Sequence, residues 1–84
     1  MATEDEFHAA AAYVNSLVID PGNETKLRLY ALYKQATEGD AQGKRPGFTN
    51  PVGRAKYDAW AAMHGMSVED ARDEYVTLIG TLRA

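Results

Sequence analysis

The stretch that decides the fold is residues 24–39, which read ETKLRLYALYKQATEG. Leucine and alanine recur through it at steps of three and four residues, the period of one face of an α-helix. Asn23 stands before the stretch as the predicted N-cap, and Gly39 stops it because glycine readily adopts the left-handed conformation beyond a helix end. The sequence therefore predicts a helix over Glu24–Glu38.

Three further helices are predicted around this one. The first covers Glu4–Val18, where Thr3 and Glu6 have the spacing of a capping box. The third covers Val52–His64, and the fourth begins at Ser67 and continues close to the C-terminus. Since no alternating strand pattern competes, the sequence predicts an all-α protein built as a four-helix bundle.

A long loop separates the second and third helices. Residues 39–51 contain an unusual density of turn-forming residues, namely Gly39, Gly43, Pro46, Gly47 and Pro51. Loops of this length in small domains are usually functional or mobile. We therefore expect this loop to have a role beyond simple connection.

Composition limits the classes of protein that this chain can represent. The 84 residues, 45% of them hydrophobic, predict one domain over residues 1–84. The chain has no cysteine, which excludes disulfide scaffolds, thiolate zinc sites and cysteine nucleophiles. The longest apolar run, Ala9–Val14, is too short to span a bilayer, and the acidic residues 4–6 do not resemble a signal peptide. We predict a cytoplasmic protein without stable membrane insertion.

The charges are distributed unevenly along the chain. The net charge is −3, which argues against a nucleic-acid partner. Residues 26–56 nevertheless carry a net charge of +5, and the remainder carries −8. A basic middle in an acidic chain indicates a local anion site, although an unevenly charged solvated surface remains an alternative at this point.

The second helix carries the candidate chemistry. Tyr30, Tyr33 and Lys34 are spaced so that their side chains are neighbours on one helical face. A tyrosine ring can stack on a purine, and a phenol and an ammonium can both donate hydrogen bonds to phosphate oxygens. The alternative is that both tyrosines lie at the edge of the core and that Lys34 is solvated.

Two residues elsewhere complete this constellation. Lys56 lies on the third predicted helix and Tyr75 on the fourth. If Lys34 and Lys56 face each other across a groove, they could hold one phosphate group. Without an anion between them the two ammonium groups would repel each other, so such a pair makes sense mainly with a ligand present. Taken individually, Lys56 also fits a surface lysine and Tyr75 a core aromatic residue.

Together these residues resemble the acyl-CoA-binding protein family. Residues 29–40, LYALYKQATEGD, are similar to the family's signature and are followed at the family's spacing by Arg45-Pro46-Gly47. Residues 53–60, GRAKYDAW, and the later Ser67, Glu69, Ala71 and Tyr75 continue the match in register. The resemblance covers nearly the whole chain without a gap, and a run of matched motifs of this length is highly specific.

The resemblance implies a fold and a ligand. The fold is an up-down-down-up four-helix bundle in which the loop over residues 39–51 makes a long overhand connection. The ligand is a medium- to long-chain fatty acyl-CoA, bound by a monomer that acts as a non-enzymatic carrier and delivers it to acyl-CoA-using enzymes. No catalytic constellation, cofactor or metal site is predicted. A helical protein-interaction module that kept the bundle and lost the ligand remains the alternative.

The resemblance also implies which side chains hold the head group. In the family, the tyrosine at the position of Tyr33 stacks on adenine. The lysines that match Lys34 and Lys56 bind the ribose 3′-phosphate, and the tyrosine that matches Tyr30 assists them.

Five other positions bear on the ligand. The resemblance implies that Tyr75 lies along the ligand and that the backbone near Ala10 approaches it. Leu27 is a candidate contact for the acyl tail. Asn15 stands where many members place a lysine that helps at the ligand, and Val52 stands where a lysine is frequent, so these two positions are departures from the family's pattern.

Overall fold

The computed structural model describes residues 2–17 and 20–83. It contains four helices: α1 (Glu4–Asn15), α2 (Asn23–Glu38), α3 (Pro51–Ala61) and α4 (Val68–Arg83). The prediction of an all-α, four-helix protein is confirmed. The first helix ends at Asn15, earlier than predicted, and Val18, its predicted last residue, lies outside the described residues.

The predicted N-terminal caps of α1 and α4 are present. The Glu6 N–H donates to Thr3 Oγ1 over 3.1 Å, and the Thr3 N–H donates to Glu6 Oε1 over 2.9 Å, which completes the capping box. At α4 the Asp70 N–H donates to Ser67 Oγ over 3.0 Å. These side chains satisfy amide groups that have no partner within the first turn of a helix.

The prediction that Asn23 caps α2 is wrong. Asn23 is the first helical residue, and Gly22 holds the cap position with a φ of 95°. A residue with a Cβ would be strained at that angle, whereas glycine is not. The Gly22 N–H donates to Asp20 Oδ1 over 2.7 Å, so the preceding turn is fixed by an aspartate side chain.

The third helix is displaced from its predicted bounds. It begins at Pro51, where Asn50 Oδ1 accepts the Gly53 N–H over 3.1 Å. It ends at Ala61, short of the predicted His64, because the amides of Met63 and His64 bond to carbonyls only three residues back. This tighter hydrogen-bonding pattern terminates regular helix before the chain turns toward α4.

Contacts between α2 and α3 show that these helices run in the same direction. Tyr30 on α2 contacts Lys56 on α3, and one turn further along each helix Lys34 contacts Trp60. Two helices that advance together in this way are parallel. The loop over residues 39–50 must therefore cross back along the bundle, as the resemblance implies.

The remaining pairings define the directions of α1 and α4. Arg28 contacts Glu74 on α4, and Gln35, later on α2, contacts the Met66 carbonyl just before α4. The two helices therefore run antiparallel. On α1, Tyr13 lies beneath the Arg83 guanidinium, and Ala2 near the start of the chain donates to Asp73. Those contacts make α1 and α4 parallel, which gives the order up-down-down-up.

The overhand loop is fixed to α3 by side chains. Trp60 Nε1 donates to the Gly39 carbonyl over 2.8 Å at the start of the loop. Arg45, in the middle of the loop, donates two hydrogen bonds to the Asp58 carboxylate, at 2.7 and 2.6 Å. Trp60 is buried and hydrogen-bonded, as its size and its polar N–H require.

The core lies where α1, α2 and α4 meet. Its buried members are Phe7, Ala10, Leu29, Leu32, Ala36, Ala71, Tyr75 and Ile79. Gln35 is also fully buried, and its Nε2 donates to Asp40 Oδ1 and to the Met66 carbonyl, each over 2.8 Å. This amide ties the end of α2 to the turn before α4. Over residues 2–17 and 20–83, none of the helices has the length and hydropathy needed to cross a membrane.

Candidate ligand groove

A groove of about 760 Å³ opens beside the core. All four helices and the segment between α1 and α2 contribute to its walls, through Ala11, Val14, Asn15, Leu17, Asp20, Pro21, Lys26, Leu29, Tyr30, Tyr33, Lys56 and Tyr75. Apolar residues, phenols and two lysines therefore line one space. A groove with that mixture suits a ligand that is part aromatic, part anionic and part apolar.

Three aromatic rings support one wall of the groove. Phe7 and Tyr33 are stacked, with ring centroids 5.6 Å apart and an interplanar angle of 18°. The Tyr75 ring lies 5.2 Å from Phe7 and 6.0 Å from Tyr33. Phe7 and Tyr75 are buried, whereas Tyr33 is 40% exposed. The Tyr33 ring is thus fixed from within and still presents surface on which a planar ring can stack.

Burial also sets the ionisation of Tyr75. Removal of the phenol from water raises the pKa of Tyr75, and the nearby Tyr33 contributes in the same direction. Desolvation disfavours the charged phenolate, so the hydroxyl stays protonated at neutral pH. Tyr75 therefore offers the groove a hydrogen-bond donor without a negative charge.

A lysine and a tyrosine meet in another part of the groove lining. The Lys56 ammonium lies 4.8 Å from the centroid of the Tyr30 ring, and both residues line the groove. This cation–π contact places the ammonium at the groove while it remains free to donate hydrogen bonds. A phosphate entering here would meet a phenol and an ammonium together.

Lys34 lies one helical turn further along the same α2–α3 contact. Its ammonium is hydrogen-bonded to Glu38 and lies 4.8 Å from the centroid of the Trp60 ring. The hydrogen bond that Lys34 donates to Glu38 raises the pKa of Lys34 above its usual value. Lys34 is therefore charged and held by an acid on its own helix, and it does not line the groove.

The eight predicted ligand residues divide into two groups. Five of them line the groove, namely Asn15, Tyr30, Tyr33, Lys56 and Tyr75. The other three, Ala10, Leu27 and Lys34, do not. Ala10 is buried in the core beside Ala11, which does reach the groove, and Leu27 is half-buried while Leu29 faces the groove.

An ion pair that lines the groove was not anticipated from the sequence. Lys26 Nζ lies 2.7 Å from Asp20 Oδ2, and both residues line the groove. The hydrogen bond from Lys26, followed by that from the Gly22 N–H, lowers the pKa of Asp20 below its usual value. The spacing of Lys26 from Tyr30 and Tyr33, four and seven residues, was the signal that places it on their helical face.

The apolar lining follows the hydrophobic periodicity of the sequence. Val14 and Leu17 lie on the apolar face predicted for the first helix, and Leu29 is an apolar residue of the second. In the structure the groove adjoins the core, so these side chains serve both. Among the residues that the structure describes, no cluster of three or more histidine and carboxylate side chains is placed to hold a metal ion.

The chain is similar to known proteins in sequence and in fold. The family model described as "Acyl CoA binding protein" matches residues 4–79. The acyl-CoA-binding protein of Fritillaria agrestis is 44% identical over 82 residues, which cover 98% of this chain and 94% of that protein. The chain belongs to the acyl-CoA-binding protein family. The crystal structure of Oryza sativa acyl-CoA-binding protein 2 matches with a TM-score of 0.90 and 42% identity, over 95% of this chain and 89% of the other.

The family domain also occurs within longer proteins. The enoyl-CoA delta isomerase 2 of Rattus norvegicus is 51% identical over 81 residues, which cover 96% of this chain and 21% of the isomerase. The chain thus spans about a fifth of the length of that relative. Acyl-CoA-binding proteins that match over nearly their full length, such as the Fritillaria protein, bear a binding name and no enzyme name.

Proposed function

We propose that this protein binds medium- to long-chain fatty acyl-CoA esters and carries them without catalysing a reaction on them. One observation carries the proposal: an exposed, aromatic-backed Tyr33 ring and the Lys56–Tyr30 pair line the same groove. Membership of the acyl-CoA-binding protein family supports it independently.

The chemistry of the groove matches the parts of an acyl-CoA. Adenine is planar and suits the open surface of Tyr33. The ribose 3′-phosphate suits the ammonium of Lys56 and the phenol of Tyr30, and Lys34 lies one turn away. The acyl tail suits the apolar lining that Val14 and Leu29 provide.

The binding free energies of polar contacts and of buried methylenes assign different roles to the head group and the tail. A charge-assisted hydrogen bond contributes about 1.5–3 kcal/mol, and a buried methylene contributes about 0.8 kcal/mol. Burying eight methylenes contributes roughly 6 kcal/mol, which exceeds any single polar contact. In this proposal the head group therefore selects the class of ligand and the tail sets the affinity.

The proposed setting is a cytoplasmic monomer that passes acyl-CoA to the enzymes that use it. A bound tail is withdrawn from water and from membranes. The ligand reaches an enzyme when it dissociates from this protein or is transferred directly to the enzyme. The cysteine-free sequence is compatible with a reducing compartment.

A titration tests the proposal. Palmitoyl-CoA is added to the protein while calorimetry and Trp60 fluorescence are recorded, and free coenzyme A is titrated in parallel. We expect saturation at one ligand per chain and much weaker binding of free coenzyme A. Trp60 should report binding because its ring contacts Lys34.

Matched variants localise the binding. Lys56→Met removes the groove ammonium, whereas Lys44→Met removes an exposed lysine of the loop that does not line the groove. Lys56→Met should weaken binding and Lys44→Met should not. Failure of the unmodified protein to bind palmitoyl-CoA would favour the helical protein-interaction module instead.

A further inference from the structure

The ion pair between Lys26 and Asp20 is not explained by the packing of the helices. Both side chains are exposed, at 51% and 62%, so the pair does not close the core. Both nevertheless line the groove. An exposed ion pair contributes little to stability, so its two partners can exchange for others at small cost.

The position of Lys26 on α2 aligns it with the residues that face the ligand. Lys26 precedes Tyr30 by four residues and Tyr33 by seven, so the three side chains follow one helical face. The rise of an α-helix places Lys26 about 6 Å along the axis from Tyr30. That distance is within the reach of a lysine side chain, so one extended anion can contact both Lys26 and the Lys56–Tyr30 pair.

The charges that line the groove make Lys26 significant. Its lining includes two cations, Lys26 and Lys56, and one acid, Asp20. While Asp20 neutralises Lys26, Lys56 is the cation of this described lining that is available to an anion. A coenzyme A head group carries three phosphate groups, which is more negative charge than one ammonium can match.

We propose that Lys26 is a further anion-binding residue of the groove and that Asp20 is an internal competitor that holds Lys26 until the coenzyme A head group replaces it. This inference rests on the proposed function. When the ligand enters, its phosphate accepts hydrogen bonds from the Lys26 ammonium, and the Asp20 carboxylate is released to solvent. Asp20 is then a positioning residue, since it acts on the ligand through Lys26. It also accepts the Gly22 N–H and so orders the turn before α2.

Two substitutions with opposite expected effects test the proposal. Lys26→Met keeps the length of the side chain and removes its charge, and we expect roughly fivefold weaker binding of both free coenzyme A and palmitoyl-CoA. Asp20→Asn keeps an oxygen that can accept the Gly22 N–H and removes the competing charge. We expect it to bind both ligands more tightly than the unmodified protein.

The double variant distinguishes competition from a general charge effect. If Asp20 acts by holding Lys26, Asp20→Asn should tighten binding less in the Lys26→Met background than alone. Equal tightening in both backgrounds would overturn the competitor role, and unchanged binding by Lys26→Met would overturn the assignment of Lys26. Lys44→Met serves as the control for an equal change in net charge outside the groove.

Two further measurements keep the interpretation specific. Thermal melting of each variant separates loss of binding from loss of folding. Titrations at low and high salt should show a shallower salt dependence for Lys26→Met, because one fewer ammonium contacts the ligand. If the unmodified protein binds palmitoyl-CoA and these variants do not differ, the Lys26 inference fails while the proposed function stands.

Discussion

At the scale of single residues, Phe7 connects the core to the groove. It is buried, stacks on Tyr33 and contacts Tyr75, so one side chain supports both tyrosines. Phe7→Ala should lower the free energy of unfolding by about 3–5 kcal/mol, because it removes a fully packed aromatic ring. Urea denaturation measures this change. Phe48→Ala is the matched control, since Phe48 is 82% exposed and its loss should change stability little.

A second prediction at this scale concerns Lys34 and its acidic partner. Lys34→Ala should weaken binding of palmitoyl-CoA by roughly 2 kcal/mol and leave the melting temperature nearly unchanged, since the role proposed for Lys34 is a phosphate contact. Glu38→Gln should strengthen binding, because it weakens the hold on the Lys34 ammonium. Calorimetry at neutral pH measures both changes. A large drop in melting temperature with unchanged affinity would show that Lys34 is structural.

At the scale of helices, the sequence predicted the type of each element better than its ends. Periodicity identifies a helix because many residues contribute to it, whereas an end depends on one or two hydrogen bonds. Asn23 is a good N-cap residue in general, but Gly22 takes the position because its φ is positive and Asp20 satisfies its N–H. Similarly, the end of α3 at Ala61 depends on a tight turn that the apolar pattern does not encode.

The site divides in the same way between what local sequence determines and what packing determines. Tyr30 and Tyr33 were predictable because helical spacing alone makes them neighbours. The burial of Gln35 was not, since it depends on which tertiary partner is within reach, whereas Lys34 and Glu38 have the i,i+4 spacing of a pair on one helix. Polar residues such as Gln35 are assigned to the surface unless a buried acceptor is known in advance.

The overhand loop also yields a prediction at the scale of elements. The Arg45–Asp58 pair and the hydrogen bond from the Tyr57 hydroxyl to the Gly43 carbonyl, over 3.1 Å, hold the loop on α3. Asp58→Asn should therefore increase amide hydrogen exchange across residues 41–49 several-fold, with little change in α1 or α4. Tyr57→Phe should do the same near Gly43 only. Exchange that is unchanged in both variants would show that the loop is held by other contacts.

At the scale of the whole molecule, three exposed carboxylates tie the bundle's connections together. Asp20 fixes the turn before α2, Asp58 holds the overhand loop, and Asp40 accepts hydrogen bonds from the Gly65 amide and from the Gln35 side chain. Each of these hydrogen bonds favours the ionised form, and the pKa of each carboxyl is lowered from its usual value of 3.8. The connections between helices are thus the acid-sensitive part of the fold.

The sign of the resulting pH dependence follows from proton binding. Between the lowered pKa of the folded carboxyls and the usual pKa of the unfolded ones, the unfolded chain binds more protons, so stability rises with pH. This contribution is fully present above about pH 5 and is lost as the pH falls through the folded values. At the alkaline end the pKa values of Lys34 and Tyr75 are raised, so the folded chain keeps protons that the unfolded chain releases above about pH 10.

We therefore expect the free energy of unfolding, measured with urea across pH 2–11, to form a plateau from about pH 5 to pH 9 that falls on both sides. Asp40→Asn should flatten the acid side, because the amide no longer titrates, and Asp5→Asn should not, since Asp5 is an exposed residue of α1 that holds none of these connections. The hydrogen bonds to Asp40 come from the end of α2 and from the turn before α4, so loss of its charge weakens the junction of two helices at once. An acid limb of equal slope in the Asp40→Asn protein would show that acid unfolding starts elsewhere in the bundle.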